Sequence, residues 1–385
     1  MQKTLVGVIG GSGLYNMDSL QNATEHHMDT PFGKPSDVVV TGSIDGVGVA
    51  FIARHGRGHR LIPSEVPYRA NVYALKQLGA KYLISLSAVG SLDGEMKPLD
   101  MVLPDQFIDL TKRRDSTFFG NGAVAHTSLA EPVCANLADV LARAVAQTHK
   151  EVNMGADFAL HRGGAYVCIE GPQFSTMAES HWYRSMGAKV IGMTNMPEAK
   201  LAKEAQMAYA SLAMVTDFDC WHPREAHVTA NAAIANLMKN AGYAQLIAAA
   251  AVHLLGAEKP VSAAHTALAT SLVTQPADMT PEVLARLQVL WADEISVYLE
   301  EVSSSFSCSE HLLNLRCVNR TWHACAIYKK HGRCAGDFVL FAKLHITCDR
   351  SRVAGGRHNC LVAHHVILPR FGFVFGTPQV VGFGH

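Results

Sequence analysis

The fold class of this chain is decided by the stretch Met214-Val215-Thr216-Asp217-Phe218-Asp219-Cys220-Trp221. It begins with apolar and β-branched residues and ends in two acids, a pattern typical of a buried strand that delivers carboxylates at its carboxyl end. Side chains alternate along a strand with a period of two, so Asp217 and Asp219 are predicted to point the same way. Both acids could then meet one flat heteroaromatic ligand, one protonating a ring nitrogen and the other holding an exocyclic amine. The ordinary alternative is a strand followed by a polar turn with a capping Asp.

Short runs rich in Val and Ile alternate with helical patterns on both sides of this stretch. Strands are predicted at Leu5–Ile9, Val38–Val40, Val49–Ala53, Tyr82–Leu86, Tyr166–Ile169, Val190–Met193 and Leu212–Val215. Helices are predicted at Val66–Leu78, Val133–Gln147, Ser175–Met186, Pro197–Met207, Glu225–Leu255 with a bend or break near Gly242, and Pro281–Asp293. This alternation predicts an α/β domain over residues 1–293, with a mostly parallel or mixed sheet whose sites lie at the carboxyl ends of strands.

Length and composition indicate a globular chain without a dominant charge. The chain has 385 residues, 49% of them hydrophobic and 17% charged, which is enough for a sizeable core. Lys+Arg and Asp+Glu both total 33, so no basic field favours nucleic acid or an anionic membrane surface. The amino terminus enters a strand without the pattern of a signal peptide, and the longest apolar run, Leu246–Leu255, is too short to span a bilayer. With only Cys134, Cys168 and Cys220 before the last segment, we expect reduced thiols and a cytoplasmic location.

Three strand ends carry donors suited to an anion. The turn Gly10-Gly11-Ser12-Gly13 can bring backbone N–H groups and a hydroxyl to a phosphate, although its spacing fits no dinucleotide motif or P-loop. The pair Arg54-His55 follows the next buried strand, where Arg offers bidentate binding and His a donor that can be charged near neutral pH. Ser85–Leu92 is a strand that ends in small residues and hydroxyls. Tight turns and a solvated basic loop are the alternatives.

Two further segments could hold a base and a sugar. Ile169–Thr176 and Ile191–Glu198 each end a strand and start a helix. Phe174 and Met193 could cover the apolar faces of the ligand, and Glu170 could pair with sugar hydroxyls. Without context, a Phe or a Met near a sheet is more often simply core.

Together these motifs resemble those of the trimeric purine nucleoside phosphorylases, and within that family the members that act on 5'-methylthioadenosine. The resemblance runs from about Thr4 to about Asp293, with all motifs in family order. It is carried by Gly10-Gly11-Ser12-Gly13-Leu14, Asp29-Thr30-Pro31-Phe32-Gly33-Lys34-Pro35-Ser36, Arg54-His55-Gly56-Arg57, Glu170-Gly171-Pro172, Met193-Thr194-Asn195-Met196-Pro197-Glu198 and Thr216-Asp217-Phe218-Asp219-Cys220-Trp221. It implies a single α/β domain with a mixed, partly barrel-like sheet flanked by helices, a homotrimer, and active sites near subunit boundaries.

The resemblance also implies roles for residues at matching positions. The phosphate site would comprise Ser12, Arg54, His55, Ser87 and the Ala88 backbone. The substrate-binding residues would be Phe174 against the purine, Met193 under the ribose, Thr194 and Thr216 in the matched motifs, Asp217 near N7 and Asp219 near the exocyclic amine. The 5'-substituent would face Ala230, Ala233 and Ile234, and His126 would come from the neighbouring subunit. Ser12 and Ser87 replace the Thr of many relatives, which keeps the hydroxyl, and the small Ala230 and Ala233 leave the preferred 5'-group open.

The implied reaction is phosphorolysis of 5'-methylthioadenosine to adenine and 5-methylthioribose 1-phosphate, with Asp217 and Asp219 as the catalytic acids. Inorganic phosphate would be the co-substrate, and we expect no metal and no organic cofactor. An acceptor facing a 6-oxo group would be left unpaired, so the two acids favour a 6-aminopurine. The alternatives are a 6-oxopurine nucleoside or methylthioinosine phosphorylase, and a catalytically inactive nucleoside-binding protein.

Residues 294–385 break with this pattern. The resemblance and the amphipathic period end together, and six cysteines follow, namely Cys308, Cys317, Cys325, Cys334, Cys348 and Cys360. Their gaps are irregular, no C-x-x-C occurs and the basic residues lack a recognisable scaffold, which argues against a zinc or nucleic-acid module. We expect a poorly ordered extension of unknown role, with a shifted reading frame as the alternative.

Overall fold

The computed structural model describes residues 4–222 and 230–291, and four strands between residues 312 and 367; side chains are described for 4–222 and 235–291 except residue 277. The chain divides into two compact units, Met1–Glu294 and Ile295–His385. The strands of the first unit are β1 Thr4–Gly10, β2 Gln21–His26, β3 Val39–Ile44, β4 Val47–Ala53, β5 Tyr82–Ser91, β6 Met101–Leu103, β7 Gln106–Asp109, β8 Leu160–Arg162, β9 Ala165–Cys168, β10 Ala188–Gly192 and β11 Ala208–Asp217. Its α-helices are α1 Tyr68–Gln77, α2 Ala135–Val152, α3 Met177–Ser185, α4 Asn195–Glu204, α5 Ala230–Glu258 and α6 Pro281–Leu287.

The sheet of the first unit is mixed and branches at β5. One path runs in the order β2-β3-β4-β1-β5-β10-β9-β7, and a second leaves β5 through β11, β6 and β8. Strands β1 and β11 lie parallel to β5, and β10 takes the place of β1 beyond Leu86 and runs antiparallel. Among the described residues β2, β7 and β8 each have one strand neighbour, so these pairings leave the sheet incompletely closed.

The branch brings several strand ends to one place. β1 ends at Gly10 beside Leu86 of β5, and β4 ends at Ala53 beside Gly10. β11 ends at Asp217 beside Gly90 on the opposite edge of β5, and β10 ends at Gly192 on the same edge as β1. Carboxyl ends of strands at such a branch form a cleft that the sheet itself leaves open. The prediction of an α/β domain with a mixed sheet flanked by helices is confirmed.

Helix α5 supplies much of the core that covers this branch of the sheet. Its apolar face packs on α2, β11, β1 and β4. The core that it helps to bury includes Ile247, Val252 and Leu255, none of which is exposed to solvent. Burial of such aliphatic side chains contributes about 1.5–3 kcal/mol each. None of the helices within the described residues is long and apolar enough to cross a membrane.

Some sequence predictions differ from the structure. The break near Gly242 is wrong, because α5 is continuous through this position; its flanking residues are helix formers, and tertiary packing outweighs one glycine. The helix predicted at Pro281–Asp293 is shorter, since α6 gives way to a 3-10 turn at Gln288–Leu290. Strands β2, β6, β7 and β8 were not predicted, the first because it is largely exposed and the others because they have only three or four residues.

The second unit contains one antiparallel sheet in the order β12-β13-β14-β15. Its strands are β12 Leu312–Val318, β13 Thr321–Lys330, β14 Phe338–Thr347 and β15 Val366–Ile367. The sequence analysis predicted no strand in this segment. Of the six late cysteines, Cys308, Cys334, Cys348 and Cys360 lie outside the described residues.

Candidate active site

The two acids that end β11 lie side by side against β5. The β11–β5 register slips between Val215 and Asp217, which pairs Asp217 with Gly90. A Cβ atom at Gly90 would lie 3.0 Å from Asp217 Oδ1 and 3.0 Å from Ile191 Cγ2, so a side chain here would crowd the Asp217 carboxylate, and the Asp219 Cβ would be in ordinary contact at 3.5 Å. Glycine at this strand position therefore serves the close approach of the Asp217 carboxylate.

The reason for their proximity differs from strand alternation, so that part of the sequence argument is wrong. Asp217 is the last residue of β11, and Asp219 lies beyond it in a left-handed conformation with φ of 51°. The backbone N–H of Asp219 donates to Asp217 Oδ1 at 2.9 Å. A bulge followed by an Asx-type turn thus brings the acids together.

Both acids have raised pKa values. Burial raises the pKa of Asp217, against the opposing effects of the Thr216 hydroxyl, 2.7 Å from Oδ2, and of the Asp219 N–H. Burial also raises the pKa of Asp219, and the negative charge of Asp217 raises it further, while the Ser180 hydroxyl donates to Oδ2 at 2.5 Å. Two interacting carboxyl groups of this kind titrate as a pair and hold a proton more readily than an isolated Asp.

Arg54 is buried at the end of β4 and binds an acid of the protein itself. Its guanidinium makes two bonds to Glu198, from Nε at 2.8 Å and from Nη2 at 3.1 Å, and both side chains are 1% exposed. Nη2 also donates to Ser85 Oγ at 2.7 Å, and Nη1 to the Leu86 carbonyl at 3.2 Å. The Glu198 carboxylate raises the pKa of Arg54 despite burial, so the guanidinium is held as a fixed cation.

The glycine turn lies against this guanidinium. A Cβ at Gly11 would fall 2.6 Å from the Leu86 carbonyl oxygen and 3.0 Å from Arg54 Nη1. Ser12 follows in the turn and is partly exposed, and Gly13 has a φ of 78°. The glycine turn, Arg54 and β5, which the sequence groups around one anion, therefore lie next to one another.

His55 differs from the expectation of a charged donor. Burial lowers its pKa to about 3, and the adjacent Arg54 cation lowers it in the same direction. The ring is neutral at pH 7, its Nδ1 lies 2.8 Å from the Leu61 carbonyl, and it stacks on His59 at 4.4 Å. A carbonyl can only accept, so Nδ1 carries the hydrogen and Nε2 is left as an acceptor.

Ser87 and Thr194 meet at the floor of the same cleft. The Ser87 hydroxyl lies 3.4 Å from Thr194 Oγ1 and 3.3 Å from the Tyr166 hydroxyl, and all three side chains are buried. Ala88, the next residue of β5, is partly open. Thr194 precedes α4 as its N-cap residue without a cap bond from its side chain, which leaves its hydroxyl to the cleft group.

Glu170 does not have the free carboxylate that pairing with sugar hydroxyls would need. It accepts hydrogen bonds from the Ser64 hydroxyl, from the backbone N–H of Lys112 at 2.5 Å and from Arg114 Nε at 3.1 Å. These donors outweigh burial and lower the pKa of Glu170 to about 2. Its role in this structure is to join loops around the cleft.

Phe174 and Met193 lie on the loops after β9 and β10. Phe174 is 52% exposed, and Met193 is partly buried with its sulfur against Gly171. The lack of a side chain at Gly171 makes this contact possible, because a Cβ there would lie 2.5 Å from Met193 Sδ. An exposed aromatic ring beside a cleft is the feature expected of a surface that a ligand would cover.

The remaining predicted residues are placed less closely. His126 is exposed, and its backbone N–H donates to the Ser271 carbonyl at 2.8 Å. Ala230, Ala233 and Ile234 belong to the first turns of α5, but their side chains lie outside the described residues.

Sequence reasoning gave no role to three residues that organise the site. Glu198 was quoted only as part of a motif, and Ser180 lies in an ordinary helix. Arg114 sits in a cationic run that looks like a solvated loop, yet it is 1% exposed and donates to the carbonyls of Met193 and Met196, both at 2.6 Å. The partners of these residues are distant in the chain, so no local spacing could reveal them.

Comparison with known proteins is consistent with this geometry. The model of the phosphorylase superfamily matches residues 5–253. The S-methyl-5'-thioadenosine phosphorylase of Synechocystis is 55% identical over 285 residues, covering 74% of this chain and 86% of the relative. A crystal structure of a methylthioadenosine phosphorylase from an Antarctic soil metagenomic library is 58% identical, with a TM-score of 0.71, covering 75% of this chain and 99% of the other. A Schistosoma mansoni methylthioadenosine phosphorylase in complex with adenine is 38% identical, with a TM-score of 0.66, covering 70% and 99%.

Proposed function

Because this chain belongs to the phosphorylase superfamily, we propose that its cleft catalyses the phosphorolysis of 5'-methylthioadenosine to adenine and 5-methylthioribose 1-phosphate. The observation that carries the assignment is the pair of acids Asp217 and Asp219, the first half-buried at the end of β11 and the second buried just beyond it, which lie beside Gly90 and have raised pKa values. A purine leaves most easily when it is neutral, and these acids are suited to protonate it. The enzyme is of the purine nucleoside phosphorylase type.

The reaction needs a proton on the leaving base. A phosphate oxygen attacks C1' as the bond from C1' to N9 breaks, and the bond electrons go to the base. Asp217 gives its proton to N7, so adenine departs neutral, and the proton of hydrogenphosphate then restores Asp217. The raised pKa of Asp217 keeps a proton available for this step.

Phosphate binding is the second part of the proposal, with Ser12, Arg54, Ser87, the Ala88 backbone and His55 as its residues. What supports it is the position of Arg54, a buried cation whose Nη1 lies against the glycine turn. Glu198 and Ser85 bind Nε and Nη2 of Arg54. Nη1 is the guanidinium nitrogen that lies beside Gly11 of the turn. The anion would offset the positive charge that develops on the sugar at the transition state.

The neutral state of His55 changes what it can do for phosphate. With Nδ1 bound to Leu61, its Nε2 accepts a hydrogen bond, and hydrogenphosphate has one O–H to donate. His55 would thus orient the protonated phosphate oxygen and leave another oxygen to attack. Thr194 and Ser87 would bind the anion through their hydroxyls.

Substrate choice would rest on Asp219. The Ser180 hydroxyl donates to Asp219 Oδ2 and opposes the rise that burial causes in the pKa of Asp219, so this bond stabilises the form of the carboxyl that accepts from an exocyclic amine. Phe174 would cover the purine, Met193 the ribose and Thr216 would lie beside the base, while Ala230, Ala233 and Ile234 would face the 5'-group. The reaction uses inorganic phosphate as co-substrate and calls for no metal or organic cofactor.

The assembly and location are further parts of the proposal. A homotrimer, with His126 of one subunit reaching the site of the next, is supported by the exposure of His126. A cytoplasmic location stays a prediction from the sequence.

The test is a comparison of paired substrates. Purified protein is given 5'-methylthioadenosine or 5'-methylthioinosine at equal concentrations with phosphate, and base release is followed by chromatography. We expect kcat/KM to favour the adenine nucleoside by at least about tenfold, the cost of about one unpaired hydrogen-bonding group. Preference for the inosine analogue would assign the site to 6-oxopurines, and binding of both without turnover would indicate a nucleoside-binding protein.

A further inference from the structure

One face of helix α5 contacts both halves of the site. Asn236 Nδ2 donates to the Thr216 carbonyl at 2.7 Å, and Asn240 Nδ2 donates to the Val215 carbonyl at 3.1 Å. The two amides are four residues apart and therefore lie on the same side of the helix. Leu237, between them, packs on the glycine turn, where a Cβ at Gly13 would lie 3.4 Å from its Cγ.

These amides meet β11 where its ladder is interrupted. The register slips between Val215 and Asp217, so Thr216 is the extra residue of a bulge. A bulged residue loses its regular strand partners, and here the Asn236 amide satisfies the carbonyl of Thr216. The hydroxyl of Thr216 in turn lies 3.1 Å from the Val89 carbonyl and 2.7 Å from Asp217 Oδ2. A single residue, Thr216, therefore links Asn236 to the Asp217 carboxyl, because its carbonyl bonds to Asn236 and its hydroxyl to Asp217.

Helix formation does not explain why asparagines stand at these positions. Asn is a poor residue for a helix interior, because its short amide competes for backbone hydrogen bonds. Asn240 is fully buried, and its Oδ1 has no hydrogen-bond partner among the described residues. A buried amide with an unpaired oxygen lowers stability. Against this cost, the two Nδ2 bonds hold the backbone on both sides of the bulge and so fix where the end of β11 lies.

We propose that Asn236 is a positioning residue, which holds the Thr216 bulge so that the Asp217 carboxyl faces the leaving purine. This inference rests on the proposed function. Through Leu237 the same helical turn supports the glycine turn, so it keeps the acid and the phosphate site in one frame. Loss of the Asn236 bond acts on protonation of the leaving group and leaves nucleoside binding largely intact.

The test compares Asn236→Ala and Asn236→Leu with the unaltered protein and with Asn136→Ala. Asn136 is a matched control, because its Nδ2 also donates to a backbone carbonyl, that of Val261, at 2.7 Å, and α2 begins near the opposite end of β11. Asn236→Leu keeps nearly the size and shape of the side chain and removes the donor without adding a charge near Asp217, so it decides the matter if the alanine variant does not fold. Folding is checked by circular dichroism and gel filtration.

We expect both Asn236 variants to lower kcat for 5'-methylthioadenosine by about 10- to 100-fold, the usual result of misplacing a reacting group, with KM changed by less than about twofold. Water admitted to a loosened Asp217 lowers its pKa, so the basic limb of the kcat profile should move to lower pH by about half a unit or more. Other titratable groups lie near Asp217, since Asp219 faces it and Glu179 and Cys220 lie beside Asp219. The basic limb is therefore assigned to Asp217 by showing that Asp217→Asn abolishes it.

The outcomes separate this inference from the function it rests on. Lower kcat with a displaced basic limb in the Asn236 variants, and neither change in Asn136→Ala, would support it. A rate reduced equally at every pH, a change confined to KM, or unaltered kinetics would overturn it while the phosphorylase assignment stands. Absence of phosphate-dependent adenine release from the unaltered protein would overturn the proposed function instead, and this inference with it.

Discussion

The substitution Glu198→Gln tests the buried ion pair on which the proposed phosphate site is built. Glu198 and Arg54 are each 1% exposed and joined by two hydrogen bonds, and the Tyr209 hydroxyl donates to Glu198 at 3.1 Å. Glutamine keeps the shape of the side chain but removes its charge and turns one acceptor into a donor. Arg54 would then be a buried cation without its counter-ion.

The expected loss is large. Removal of one partner from a buried ion pair costs about 3–5 kcal/mol, because the other charge stays desolvated. For a folded unit of this size, each kcal/mol shifts Tm by roughly 2 °C, so Tm should fall by about 6–10 °C. Displacement of the guanidinium beside Gly11 should also raise KM for phosphate by about tenfold or more.

The assay is thermal unfolding followed by circular dichroism, together with initial rates at varied phosphate. Glu258→Gln is the control, because Glu258 pairs with Arg143 at the surface, where an ion pair contributes little, and we expect no measurable shift in Tm. An unchanged Tm and an unchanged KM for phosphate in Glu198→Gln would refute both the energetic importance of the pair and the placement of phosphate at Arg54.

Two further predictions concern the acid and the extension. Asp217→Ala should lower kcat/KM for 5'-methylthioadenosine by about 10²–10⁴, the contribution of a positioned general acid, and Asp217→Asn should lose less with 6-oxopurine nucleosides. Because Asp217 acts in its protonated form, kcat of the unaltered enzyme should fall as pH rises through the elevated pKa of Asp217. This basic limb should vanish in Asp217→Asn. Intact turnover of 5'-methylthioadenosine by that variant would show that the role given to Asp217 is mistaken. Truncation after Asp293 should change kcat/KM by no more than roughly threefold, which is less than about 1 kcal/mol. The reason is that 75% of this chain covers 99% of the length of the Antarctic relative. A truncated protein that folds but loses activity by orders of magnitude would contradict this.

The sequence predicts best those elements whose burial follows a local pattern. β1 and β4 are apolar runs that were predicted at nearly their observed positions, and the strand predicted at Leu212–Val215 is the central part of the longer β11. β2, with the sequence QNATEH, is largely exposed and has no apolar pattern. Its pairing with β3 is what makes it a strand. Local periodicity cannot report a strand whose stability comes from one neighbour.

The site was predictable in composition but not in its connections. Asp217 and Asp219 were expected together, yet a bulge at Thr216 and a left-handed turn at Asp219 bring them there. His55 was expected to be a charge-capable donor, and burial beside Arg54 makes it neutral. Such outcomes depend on contacts between residues far apart in the chain, which spacing along a sequence does not encode.

Phosphate dependence is the measurement that tests the proposed function most directly. Dialysed protein is given 5'-methylthioadenosine in phosphate-free buffer and in buffer with phosphate, each with and without a chelator, and adenine and the sugar product are quantified. We expect adenine release to require phosphate, to survive chelation and to yield 5-methylthioribose 1-phosphate in equal amount. Equal adenine release without phosphate, with free 5-methylthioribose as the product, would mean hydrolysis and would contradict the assignment of the cleft as a phosphorylase site.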